Sequence, residues 1–182
     1  MLALTLSQWA AAGAAPAPPK HAVAITDVTV IDVRQDRVSR PRTVIVDDGR
    51  ITAIGGSDQI PDGAQRVDGR GKFLIPGLVD MHVHLFNLSS HRPPNDWTFP
   101  LYVANGVTTV RNMWGFPNHL QWKQRHDWLG PAIYSTGPIV DGNPPIWPGS
   151  VVVETPEAAT AEVDAEKRAG WDFVKVYSGL SP

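Results

Sequence analysis

The chain has no cysteine among its 182 residues, which excludes a disulfide scaffold and any thiolate metal site. His, Asp, Glu or a modified Lys remain as candidate ligands. Charge is sparse and nearly balanced, with 19% charged residues and a formal net charge of −2. The basic residues form no run, so neither nucleic acid nor an acidic membrane surface is an expected partner. No stretch after the first nineteen residues approaches the ~20 apolar residues that a membrane span needs. What is present is a hydrophobic content of 42%, sufficient to bury a core and unlike a disordered chain.

The beginning of the chain differs from the rest. Leu2 to Leu6 is apolar, Trp9 to Ala15 is mostly alanine, and Pro16 to Pro19 is a Pro-Ala spacer. The triplet Ala12-Gly13-Ala14 suits a signal peptidase, but no Lys or Arg precedes Lys20, as a secretory signal normally requires. Residues 1–20 therefore read either as a signal peptide, implying a periplasmic or secreted protein, or as a disordered tail of a cytoplasmic one.

Residues 21–71 alternate on a short period. Val23 to Val33, Thr43 to Val46 and Ile51 to Ile54 are expected strands, with Asp47-Asp48-Gly49-Arg50 as a hairpin turn. This is a small β-domain, with its boundary placed near Gly71. In residues 72–182 strand and helix patterns alternate. Strands are expected over Phe73–Leu85, Val107–Met113, Ala132–Val140 and Asp172–Tyr177, and helices over Asp96–Asn105, Asn118–Leu129 and Thr155–Ala169. Thr155 is suited to cap the last helix, with Pro156 at its first position. Nearly continuous apolar strands between helices argue a parallel sheet. Four such strands are half of an eight-fold barrel, which takes typically ~250 residues, whereas about 110 follow Gly71. The chain reads as cut short.

The most telling run is Leu74 to Leu85, Leu-Ile-Pro-Gly-Leu-Val-Asp-Met-His-Val-His-Leu. His82 and His84 lie two apart in a strand, so both side chains take one face and suit one metal ion. Two histidines on a strand also describe a half-exposed face of an ordinary sheet. The setting separates the two readings: Asp80 lies two residues before His82, and the C-terminal ends of barrel strands are where active sites sit.

With Ile75-Pro76-Gly77-Leu78-Val79-Asp80-Met81-His82-Val83-His84, then Gly106-Val107-Thr108-Thr109-Val110-Arg111, then Phe173-Val174-Lys175-Val176-Tyr177, the chain resembles the metal-dependent amidohydrolase superfamily. It is most similar to the branch of imidazolonepropionase-type and prolidase-type enzymes. The resemblance spans roughly Ala22 to the end, and implies a distorted (β/α)8 TIM-like barrel fused to a β-sandwich built from both chain ends. It implies that His82 and His84 hold the more buried metal, and that Lys175, carbamylated by carbon dioxide, bridges two divalent cations, zinc being the first choice. The strand pattern is consistent with this. Phe173, Lys175 and Tyr177 share the face opposite Val174 and Val176, which suit a helix layer. The alternative is a lysine whose stem is buried while its ammonium snorkels or pairs with a carboxylate.

The reaction that the resemblance implies is two-metal hydrolysis of a carbon–nitrogen bond in an amide, cyclic amide or dipeptide. A water is activated between the cations, one metal polarises the carbonyl, and a carboxylate carries the proton to the leaving nitrogen. The family pattern also needs two histidines after strands five and six and a catalytic aspartate after strand eight, none of which this sequence supplies. The 182 residues alone are therefore expected to be inactive or nearly so. His21 falls in the tail and His119 and His126 on an expected surface helix, leaving His91, in the loop after the first barrel strand, as a candidate at the pocket mouth. Tyr177 and Trp147 are further candidates for substrate contact, the latter in the loop Asp141–Gly149. Trp122 and Trp128 read as helix-packing residues. Relatives often carry an acidic residue where this chain has Asn112. The rival reading is a non-catalytic half-barrel whose open edge favours a homo-oligomer or a C-terminal partner. A mononuclear site held by His82 and His84 alone is a third.

Overall fold

The computed structural model describes residues 22–85, 98–124 and 129–180. The expected leader lies outside them, as do His21, His91, His126 and Trp128. The chain divides into two compact units, residues 1–76 and 77–182.

In the first unit β1 (Val23–Asp32) is central. It pairs antiparallel with β2 (Arg37–Asp47), which pairs with β3 (Arg50–Gly55). On its other side β1 runs parallel to β4 (Gln65–Asp68) and, further along, to β5 (Phe73–Leu74). The β2–β3 turn has Asp48 at φ 51° and Gly49 at φ 70°; two consecutive left-handed residues match the twist of a tight hairpin. Ala24, Val28, Val44 and Ile45 are buried, Val44 and Ile45 on opposite faces, whereas Val38, Ile51 and Phe73 are exposed. The described strands make one five-stranded sheet.

The second unit alternates β6 (Leu78–Val83), α1 (Thr98–Ala104), β7 (Val107–Asn112), α2 (Pro117–Lys123), β8 (Ala132–Asp141), β9 (Val151–Val152), α3 (Pro156–Ala169) and β10 (Phe173–Val176). The sheet order is β10-β8-β7-β6, every pair parallel, with the short β9 added on β8. Val83, Leu85, Phe99, Val110, Trp122 and Ile133 form the core between the sheet and the first two helices. Phe99 meets Trp122 edge-on at 5.8 Å. Val83 and Leu85 face this core, so period-two alternation turns His82 and His84 to the opposite face. Thr155 Oγ1 accepts the amide of Ala158 at the start of α3, and Gly170 ends that helix at φ 93°, where glycine escapes the strain of a left-handed residue.

Two expectations are corrected. The strand expected over Phe73–Leu85 is broken: Phe73–Leu74 pairs with β1, and β6 starts only at Leu78. Pro76 lacks an amide proton for the ladder, and a side chain at Gly77 would collide with Thr108 Oγ1. His119, expected on a surface helix, is fully buried. Its Nδ1 accepts the amide of Phe116, and its ring lies 4.7 Å from that of Trp122.

Candidate metal centre

His82 is on β6 and His84 just beyond its end. The ring centroids are 5.4 Å apart with planes at 50°. An ion ~2.1 Å from one nitrogen of each ring, in tetrahedral coordination, holds two imidazole centroids ~5 Å apart, so the pair fits a shared divalent cation without rebuilding the strand. The His82 backbone amide donates to Asp80 Oδ1 at 3.1 Å.

Lys175 lies on β10, at the other side of the sheet. It is close enough for its charge to act on His84, whose pKa is lowered by burial first and then by the charges of His82 and Lys175. The Lys175 ammonium stands 5.9 Å from the Tyr177 ring centroid, within cation–π range. Among the described residues it pairs with no carboxylate. The same residues contain no group of three His, Cys, Asp or Glu able to hold a metal ion; the candidate donors expected from the sequence are two imidazoles and an amine.

No protein-family model matches the chain. It is 41% identical over 69 residues to adenine deaminase 2 of Shouchella clausii, covering 37% of this chain and 12% of that protein. A dihydroorotase of Endomicrobium trichonymphae is 36% identical over 89 residues, covering 47% of this chain and 19% of the relative. Among solved structures, a candidate prolidase of Bifidobacterium longum superposes with a TM-score of 0.73 at 26% identity, over 90% of this chain and 42% of that one. These relatives indicate the amidohydrolase superfamily. It spans less than half the length of these relatives, and β6, β7, β8 and β10 are the part of the TIM-like barrel that is present.

Residues of β7 and of the segment that follows it contact β6 and His84. Arg111, on β7, donates Nε to the carbonyl of Met81 at 2.8 Å, and its guanidinium lies 5.8 Å from the Phe173 ring centroid. The ring of Trp114 stands edge-on to His84 at 5.8 Å and meets Trp147 at 5.4 Å. Trp147 is thus one ring removed from His84, and it is 38% exposed. Tyr177, half-buried, donates its amide to Val140. His91 lies outside the described residues.

Trp114, and the hydrogen-bond partners of Asp141 and Asn112, went unread in the sequence. Trp114 is 2% exposed, and nothing in its neighbours Met113 and Gly115 marks it as packed on a histidine. Asp141 is buried and accepts three amides, from Gly142, Gly179 and Ile146, each at 2.9 Å. These amides, Ile146's first, hold its pKa below the usual carboxylate value. Asn112 joins four partners, described below.

Proposed function

We propose that this chain is part of a metal-dependent hydrolase of carbon–nitrogen bonds acting on an amide, cyclic amide or dipeptide. The observation that carries this reading is the single-face pair His82 and His84, its rings 5.4 Å apart, with the charge of Lys175 reaching the second ring. The names of the relatives, a dihydroorotase and a candidate prolidase, support the substrate class.

In this reading His82 and His84 are paired neutral ligands, zinc being the preferred ion. Lys175, without a carboxylate partner among the described residues, is the site of carbamylation. The amine in its unprotonated form attacks carbon dioxide, a nitrogen–carbon bond forms and one proton leaves, yielding an anionic oxygen donor. Divalent cations held there would polarise a carbonyl and activate a hydrolytic water. Trp147 and Tyr177 flank the centre and contact substrate, and His91 is proposed at its mouth. With only these donors, turnover by the 182 residues alone is expected to be slow.

The test is metal analysis of the purified chain together with hydrolysis of Xaa-Pro dipeptides in the presence of zinc and bicarbonate. Retained metal that is lost in H82A and H84A supports the reading; equal metal content in all three overturns it. K175A should abolish any dependence on bicarbonate.

A second reading, self-association, is favoured by the sheet edges. β6 and β10 are terminal in the sheet, and Leu78, Met81, Phe173 and Val176 on them are exposed. Unpaired, apolar edges invite strand addition. Sedimentation separates a discrete dimer from heterogeneous aggregate.

A further inference from the structure

We propose that Asn112 is the positioning residue of the histidine pair, fixing where His84 stands; this rests on the reading of His82 and His84 as metal ligands. The backbone ladder of β6 ends beside it: Val83 is in register with Asn112, and the last bond runs from the Met113 amide to the Val83 carbonyl at 2.9 Å. One residue later the strand has no ladder partner. There the Leu85 amide donates to Asn112 Oδ1 at 3.1 Å. His84 therefore sits between two pinned peptide groups, one held by main chain and the other by a side chain.

The same amide group holds the ring that His84 leans on. Asn112 Nδ2 donates to the carbonyl of Trp114 at 2.9 Å and to Ser135 Oγ at 2.8 Å. His119 Nδ1 lies 3.0 Å away. Both backbone partners fix the orientation of the carboxamide: oxygen toward the Leu85 donor, nitrogen toward the Trp114 acceptor. Asn112 and Ser135 are fully buried, so water offers no substitute for these bonds and their loss is felt in full. One side chain thus governs the backbone after His84 and the residue whose ring meets His84 edge-on at 5.8 Å. Outer partners of this kind typically set metal affinity by 10–100-fold.

The test uses the full chain and two readouts. Without metal, hydrogen exchange of the Leu85 amide is expected to be about tenfold faster or more in N112A, while the Met113 amide keeps its protection. Unchanged Leu85 exchange overturns the proposal whether or not metal binds. Cobalt titration, followed by its visible absorption band, should shift to about 10–100-fold weaker binding in N112A and vanish in H84A. A folded N112A that binds cobalt as tightly as the native chain overturns the proposal. If the native chain and H84A titrate alike, the metal reading fails, and the exchange data alone decide what Asn112 does.

Should N112A not fold, N112D is close to isosteric. It keeps an oxygen toward Leu85 but loses the donor to Trp114. Leu85 protection is expected to survive and the His84 ring signals in NMR to shift as Trp114 is released. Unmoved His84 signals overturn the link through Trp114.

Discussion

The carboxylate of Asp141 accepts the amide proton of Gly179, 38 residues further along the chain, at 2.9 Å. The contact buckles the loop after β8 to the one after β10, the loops that carry Trp147 and Tyr177. A side chain at Gly142 would collide with the Gly179 carbonyl, so the two backbones meet with no room between them.

D141A should therefore loosen both loops together. The amides of Gly142, Ile146 and Gly179 are expected to lose about tenfold or more of their exchange protection, with β6 and β7 unaffected. The carboxylate's pKa is lowered in the folded state, so its contribution is present above the ordinary carboxylate range and is lost as pH falls through the lowered value. Amide exchange mapped by NMR at pH 7 checks the prediction; protection lost at only one of the two loops would contradict the buckle.

Glu166 has the opposite pH signature. It is 3% exposed on α3, and neither carboxylate oxygen has a hydrogen-bond partner among the described residues. The carboxyl lies against Gly137 of β8, where an added Cβ would stand 2.6 Å from it. Burial first, and then the charge of Glu162, raise its pKa from 4.5 to about 7. The folded state binds this proton more tightly than the unfolded chain does. Stability is therefore lost as pH rises from 4.5 through about 7, by roughly 2–3 kcal/mol. E166Q should remove that slope and raise the melting temperature at pH 8, as thermal unfolding between pH 5 and 8 would show.

The alternation of strand and helix was legible because apolar runs are punctuated by Gly106 and Gly170, each just past the end of a helix, and by Gly130-Pro131, directly before β8. The shared face of His82 and His84 follows from a period of two, which needs no tertiary knowledge. The break at Pro76 was present as a residue but masked by the apolar run on both sides of it. Burial of His119 was also written in the spacing, since Trp122 lies three residues on and shares its helix face, yet a histidine beside Asn118 and Gln121 reads as polar. β4 and β9, of four and two residues, are too short to show a period. The roles of Asn112 and Asp141 rest on partners 27 and 38 residues away, a separation at which sequence spacing carries no signal.

His119 supplies a second pH-dependent term, of opposite slope to that of Glu166. Burial lowers its pKa from 6.5 to about 4, so the folded chain keeps it neutral while the unfolded chain takes up a proton. Stability is present above pH 6.5 and is lost as pH falls from there through about 4. H119A would remove this slope, but it leaves a cavity beside Trp122 and strips the acceptor from the Phe116 amide. A net loss of about 2–4 kcal/mol at pH 7 is expected. Urea unfolding at pH 7 and pH 5 should show the variant's deficit shrinking at the lower pH; a constant deficit would mean that the buried ring is not what titrates.

Metal addition gives the last prediction. A ligand that binds only the folded chain stabilises it by RT ln(1 + [L]/Kd), about 2.7 kcal/mol at a hundredfold excess over Kd. Zinc should therefore raise the melting temperature, and a chelator should return it to the starting value. Because His82 and His84 must be held together, the rise belongs to the folded pair: H84A should cancel it while leaving the metal-free melting temperature nearly unchanged, since His84 is exposed and outside the apolar core. A zinc-induced rise that persists in H84A would assign the metal to other residues and leave the 5.4 Å histidine pair a feature of the strand alone.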